Sequence, residues 1–282
     1  MAMAIRSVAV VGSGTMGQGI AMAALMGNYP VILYDVNPTA LFKAQHSIEK
    51  YLEGLVTRNK LDESAARLQL SRLKLVTRVE EISADLVMEA IVEKLEVKQT
   101  LFRQLKNTTI IASNTSSLSI DAIAQGVDDP SKIAGLHFFN PAQVMRLVEV
   151  VRGHYTSSEV LSALVTFVES IGKVPVLTKD SPGFIVNRVA RHFYTESFYL
   201  LKKGMIEPRG MDALMRSAGF KMGPCELSDL IGHDVNYAVT ESLYESFNRA
   251  SRFTPSPVQK QLVDKNHLGR KTNKGFYEYS AA

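Results

Sequence analysis

A chain of 282 residues can bury one large core or two ordinary ones. With 46% hydrophobic and 21% charged residues it is neither disordered nor fibrous. Its 32 Lys and Arg against 28 Asp and Glu leave a net charge of +4, spread rather than blocked, which argues against a nucleic-acid partner and suits a small anionic ligand.

The single cysteine, Cys225, cannot form an internal disulfide and fits a reducing compartment. Gly12, Ser13, Gly14 and Gly17 interrupt the N-terminal apolar run before it could serve as a secretory leader. No stretch reaches the roughly 18 apolar residues of a bilayer crossing. The expectation is a cytoplasmic chain with no membrane segment.

"SVAVVGSGTMGQGIAMAALMG" opens with the apolar run Val8–Val11, turns on Gly12 and Gly14, and continues into helix formers closed by Gly27. "PVILYDV" then reads as a second strand ending on Asp35, eighteen residues beyond Gly17. This is G-x-G-x-x-G between a strand and a helix, the context that makes it a dinucleotide site. Gly12 permits the tight turn, Gly14 lets the backbone approach a pyrophosphate, and Gly17 lets helix and strand pack closely. Thr15 and Met16 open the helix whose N-terminal N–H groups would meet the anion. Asp35 would accept hydrogen bonds from ribose hydroxyls and repel a 2′-phosphate. With no Lys or Arg between Asp35 and Lys43, NAD is favoured over NADP.

Residues 40–71 hold two amphipathic stretches, read as an inserted helical pair carrying Lys50, Arg58 and Lys60. Strands are expected near 73–77, 84–91, 109–115 and 132–139, with helix between several of them, including "EKLEVKQTLFRQL". That alternation predicts an α/β fold with a doubly wound, Rossmann-like, largely parallel sheet. From "SPGFIVNRV" onward the pattern is helical, with Gly204 placed as a cap. The expected domains are 1–182 for nucleotide binding and 183–282 as an all-α domain for substrate and dimerisation. The six histidines lack metal-ligand spacing, so no metal is expected.

Ligands of open α/β sheets bind outside the carboxyl ends of the strands. Ser113–Ser117 falls at one such end, and His137 and Asn140 at the next. In "LVEVV" that follows, Glu149 would be a carboxylate buried at a cost unless paired. A turn at Asn140-Pro141 would set the two segments side by side, so His137 and Glu149 are expected to satisfy one another as base and orienter. Beside a nicotinamide, such a base most readily removes a hydroxyl proton while the carbon gives up hydride.

The blocks "GSGTMGQGI", "EAIVEKLEVK", "SNTSSLSI", "GLHFFNP", "LVEVV", "DSPGFIVNR", "MGPCELSDLIG" and "RKTNKGFYEY" together resemble the short, single-function 3-hydroxyacyl-CoA dehydrogenases, which include bacterial 3-hydroxybutyryl-CoA dehydrogenases, essentially end to end. The resemblance implies NAD-dependent oxidation of a short- or medium-chain (S)-3-hydroxyacyl-CoA. His137 would be the base, Glu149 its partner, Ser116 a donor to the substrate 3-oxygen, and Asn187 a holder of the reacting end. Asn140 would contact the nicotinamide side. Glu93, Lys98 and Lys271 would join the glycine loop and Asp35 at NAD. The positions matching a CoA-contacting lysine and serine hold Arg58 and Tyr51, and Cys225 stands where Phe is usual. An acyl-CoA thioester and a second copy of the chain are the implied partners. Alternatives are a same-fold dehydrogenase for 3-hydroxyadipyl-CoA or a sugar acid such as gulonate, and a non-catalytic NAD-binding protein.

Overall fold

The run Val8–Val11 forms β1, with all four residues buried, as a strand covered on both faces requires. The computed structural model describes residues 3–105 and 108–280. Two compact units divide the chain, Met1–Ser181 and Pro182–Ala282.

In the first unit β1 is followed by α1 (Thr15–Met26), β2 (Val31–Tyr34), α2 (Pro38–Thr57), α3 (Glu63–Ser71), β3 (Leu73–Val76) and β4 (Ala84–Glu89). Then come α4 (Leu95–Gln104), β5 (Thr108–Ser113), α5 (Ile120–Ala124), β6 (Ile133–Phe138), β7 (Leu147–Arg152), α6 (Ser158–Ser170) and β8 (Val174–Lys179). Among the described residues the strands form an eight-stranded sheet in the order β3-β2-β1-β4-β5-β6-β7-β8. Pairing is parallel from β3 across to β6, antiparallel between β6 and β7, and parallel again to β8. The helical pair α2–α3 is itself the crossover from β2 to the edge strand β3, so it lengthens a connection of the sheet rather than interrupting it.

On one face of the sheet the apolar residues of strands and helices meet in one core. Val8, Val10, Leu33, Leu86, Met88 and Ile110 from the strands pack with Ile20, Ala24 and Leu25 of α1 and with Leu41, Ile48 and Leu52 of α2. Because α1 is covered nearly all round, its sequence is Ala- and Gly-rich rather than amphipathic.

The order reverses at β1. The chain runs outward through β2 and β3, then returns to place β4 on the other side of β1. This is a topological switch point, and the crevice beyond the carboxyl ends of β1 and β4 is where such sheets bind ligands.

The second unit contains α7 (Val186–Lys202), α8 (Pro208–Ser217), α9 (Pro224–Ile231), α10 (His233–Ser246) and α11 (Pro257–Asp264). Proline opens α8, α9 and α11, where its missing N–H leaves no helical bond unmade. Gly204 ends α7 at φ +66°, its N–H bonded to Leu201 O while Met205 N bonds Leu200 O, the paired closure of a Schellman motif.

Two buried acids then hold the C-terminal strap. Asp229 accepts from His233 Nε2 (2.6 Å), Phe276 N (2.9 Å), Tyr277 N (3.0 Å) and the Tyr279 hydroxyl (2.8 Å). Asp212 accepts from Cys225 N, Glu226 N and the Tyr277 hydroxyl. Cys225 is fully buried beside these acids, and burial followed by their charge pushes its thiol well above the usual range.

Candidate active site

At the switch point the chain turns from β1 into α1 through Gly12, whose φ is +98°. A Cβ on Gly12 would lie 2.7 Å from Ala90 O, and one on Gly17 would lie 1.7 Å from Gly12 O. Both positions must therefore be glycine. Gly14 is different, because a Cβ there would meet nothing within 4 Å. Its backbone faces open space, and α1 begins there with no side chain capping it, so the first-turn N–H groups of Thr15, Met16 and Gly17 face outward.

Beside this turn lies a cavity of about 650 Å³ lined by Gly12, Gly14, Asp35, Val36, Ile91 and Val97. Val36 and Val97 are exposed valines, an arrangement that makes sense where a flat apolar group covers them. Asp35 Oδ2 accepts from Ser13 N and Ser13 Oγ, both at 2.8 Å, and Oδ1 accepts from Asn37 N at 3.0 Å. A carboxylate has about four acceptor sites, so Oδ1 keeps one for an outside donor. Partial burial opposes ionisation of Asp35, but these hydrogen bonds outweigh it and hold the carboxyl below its ordinary range. An open anion cradle, an apolar slot and an ionised acid with acceptor capacity fit a dinucleotide whose ribose carries free hydroxyls.

The second cluster lies at the ends of β6 and β7. Antiparallel register places His137 directly opposite Glu149, and His137 Nδ1 lies 2.7 Å from Glu149 Oε2. His137 is 6% exposed and Glu149 fully buried. Phe139 packs on the imidazole with ring centroids 4.5 Å apart. Because a carboxylate only accepts, Nδ1 carries the proton and the lone pair falls on Nε2.

Ser116 follows β5, the strand next to β6. Its N–H donates to Glu93 Oε1 (3.1 Å), which also accepts from Thr115 Oγ1 (2.5 Å) and Ser117 Oγ (3.0 Å). Burial opposes ionisation of Glu93, but the Lys98 ammonium and these hydroxyl donors hold its carboxyl below the usual range.

Other expected site residues are placed less simply. Lys98, which the family resemblance assigns to the cofactor, has a side chain only 1% exposed, with Nζ 2.6 Å from Glu89 Oε1 and 3.2 Å from Glu93 Oε2. Its link to the cleft therefore runs through Glu93. Asn140 and Tyr51 line a common cavity with Thr15, Gln18 and Lys50, which joins the helical arm to the start of α1. Arg58 turns back on its own helix, its Nε donating to Gly54 O at 2.7 Å. In the second unit Asn187 lies in the first turn of α7, and Lys271 Nζ pairs with Asp234 at 2.5 Å.

Two residues that matter here, Glu89 and Asn114, were given no role from the sequence. Glu89 is a fully buried carboxylate at the end of β4, accepting from Ile91 N, Lys98 Nζ and Ser113 Oγ. The Asn114 side chain accepts from Phe138 N at 2.8 Å, tying the end of β5 to the residue after His137. The same reasoning that drew notice to Glu149, an acid inside an apolar strand, applies to Glu89 in "DLVMEAI".

Among the described residues no cluster of His, Cys, Asp or Glu is arranged to hold a metal ion, and no helix is long and apolar enough to cross a membrane. A dinucleotide cradle at the end of β1 and an imidazole–carboxylate pair at the ends of β6 and β7, on the same sheet, define the class, an NAD-binding oxidoreductase fold.

Residues 7–181 match the family model described as 3-hydroxyacyl-CoA dehydrogenase, NAD binding domain, and residues 183–279 match that of the C-terminal domain. The chain belongs to the 3-hydroxyacyl-CoA dehydrogenase family. It is 48% identical over 283 residues to a 3-hydroxyadipyl-CoA dehydrogenase of Escherichia coli, a match covering 98% of this chain and 60% of that longer protein. It is 37% identical to a 3-hydroxybutyryl-CoA dehydrogenase of Bradyrhizobium diazoefficiens, over 100% of this chain and 98% of that one. The crystal structure of (S)-3-hydroxybutyryl-CoA dehydrogenase from Ralstonia eutropha superposes with a TM-score of 0.94 at 36% identity, covering 99% of this chain and 100% of that chain.

Proposed function

We propose that the protein oxidises the 3-hydroxyl of a short- or medium-chain (S)-3-hydroxyacyl-CoA to the 3-oxo thioester, and catalyses the reverse reduction. The observation that carries this reading is the His137–Glu149 hydrogen bond at the carboxyl end of the sheet that also builds the dinucleotide cradle. His137 Nε2 takes the hydroxyl proton in oxidation and returns it in reduction. Glu149 holds the ring in the tautomer that leaves Nε2 basic and stabilises the imidazolium once the proton has moved. Ser116 steadies the 3-oxygen, Asn187 is assigned to hold the reacting end of the acyl chain, and Asn140 shapes the nicotinamide side. NAD, when bound, supplies the hydride acceptor. The N–H groups of Thr15, Met16 and Gly17 hold its pyrophosphate, and Asp35 its adenosine ribose. Glu93 and Lys271 complete the cofactor set, and Arg58 and Tyr51 are candidate CoA contacts.

The test follows NADH absorbance with the 3-hydroxybutyryl, 3-hydroxyhexanoyl and 3-hydroxyadipyl thioesters and with gulonate. Turnover of one or more thioesters is expected, and the name of the Escherichia coli relative makes the adipyl arm the one to compare first. Preference for gulonate, or no turnover at all, would reject the proposal. His137→Gln should cut kcat by about 10²–10⁴-fold, the worth of a positioned base, with NADH binding unchanged by fluorescence titration.

The same reading includes a homodimer formed through the helical unit, supported by its exposed Leu214, Phe220, Leu230, Ile231 and Val235. Mass measured by light scattering checks it, and a monomer would refute it. A cytoplasmic setting is the matching expectation, checked by cell fractionation.

A further inference from the structure

Glu89 has no exposed surface and is surrounded by the apolar strands β1, β4 and β5. Burying an ion pair is weak support for stability, because well-packed apolar residues serve as well. What the Glu89–Lys98 pair does is connect. Glu89 Oε1 accepts from Ile91 N (2.7 Å) and Lys98 Nζ (2.6 Å), and Oε2 accepts from Ser113 Oγ (2.6 Å). Ser113 Oγ in turn accepts from Thr115 N (3.2 Å), and the Glu89 peptide oxygen accepts from Asn114 N (2.8 Å). Lys98 passes on to Glu93 Oε2, and Glu93 Oε1 gathers Thr115, Ser116 and Ser117. Asn114 closes the circuit by accepting from Phe138 N, next to His137. Side-chain and backbone routes from one buried carboxylate thus converge on the segment that carries Ser116.

We propose that Glu89 is a positioning residue: through Lys98, Glu93 and Ser113 it fixes the Ser113–Ser117 turn so that Ser116 meets the substrate oxygen beside His137. This rests on the dehydrogenase reading above for the role of Ser116, but the rigidity it assigns to the turn does not. With Glu89 ionised, the network has an acceptor for every donor that faces it. With an amide in its place, the Lys98 ammonium loses one of its two carboxylates and one acceptor oxygen becomes a donor.

Glu89→Gln should lower kcat about tenfold or more, a larger loss than any in NADH affinity, which a shift of Glu93 can also lower. A double-mutant cycle with Ser116→Ala separates positioning from general damage. If Glu89 acts through Ser116, adding Glu89→Gln to Ser116→Ala costs little further, a coupling of about tenfold. Hydrogen exchange supplies the readout that needs no substrate, with the Thr115–Leu118 amides exchanging faster in Glu89→Gln and in Lys98→Met. Should the core variants not fold, Glu93→Ala changes a side chain that is 38% exposed and must loosen the same amides. Independent effects in the cycle, or wild-type exchange of the turn in any folded variant, would overturn the proposal. Absence of thioester turnover in the wild type would overturn the dehydrogenase reading instead, leaving the exchange measurements to decide on Glu89.

Discussion

His137 and Glu149 sit in each other's register on β6 and β7, and neither is open enough to water to replace the other with solvent. Deleting the carboxylate therefore leaves an imidazole nitrogen without its acceptor in an apolar setting. Glu149→Ala should cost about 1–3 kcal/mol of stability in urea unfolding, the usual penalty for a stranded buried donor. Glu149→Gln keeps an acceptor oxygen near Nδ1 and should fold normally, yet lower kcat by about 10²-fold, because a neutral amide cannot stabilise imidazolium. Equal kcat in Glu149→Gln and wild type would remove the carboxylate from the proposed chemistry.

The turn from β1 into α1 shows how one motif joins folding and binding at separate positions. Gly17 is packing, since its added Cβ would collide with Gly12 O. Gly14 carries no packing role within the protein, as its added Cβ would meet nothing and its φ of −68° is open to any residue. Gly17→Ala is expected to lower Tm and NADH affinity together. Gly14→Ala is expected to keep Tm and weaken NADH binding about tenfold or more, because the methyl occupies the space left for phosphate. Thermal melts with and without NADH read both. A Gly14→Ala protein that binds NADH normally would place the pyrophosphate elsewhere.

The C-terminal strap depends on ionised Asp229. Burial opposes that charge, but His233, two backbone N–H groups and the Tyr279 hydroxyl lower the carboxyl below its ordinary range. A carboxyl whose folded pKa lies below its unfolded value of about 3.9 contributes fully above that value and is lost as pH falls through the folded pKa. Tm should therefore drop on acidification below about pH 4, and Asp229→Asn should show a lower Tm at neutral pH with a shallower acid decline. An unchanged acid limb in that variant would assign the acid sensitivity to other carboxylates.

Residue order alone determined the nucleotide half, because its signals are local: an apolar run, a turn that only glycine can make, a helix former and an acid in fixed sequence. It also made His137 and Glu149 conspicuous, since a polar residue in an apolar strand demands a partner and the Asn140-Pro141 turn limits where that partner can be. Other features have no local signature. The edge strand β8 carries Pro175 and has no fully buried position, so it becomes a strand only because β7 offers it a ladder. The block "RKTNKGFYEY" is an unpatterned string until Asp229 and Asp212, some fifty and sixty residues earlier, gather its N–H and hydroxyl groups. The family resemblance sends Lys98 to the cofactor, and only the tertiary structure shows it buried against Glu89 and Glu93. What chain order decides is what each short segment can form. What tertiary structure alone decided is which buried charges meet, because that depends on strand neighbours distant in sequence and on the exclusion of water between them.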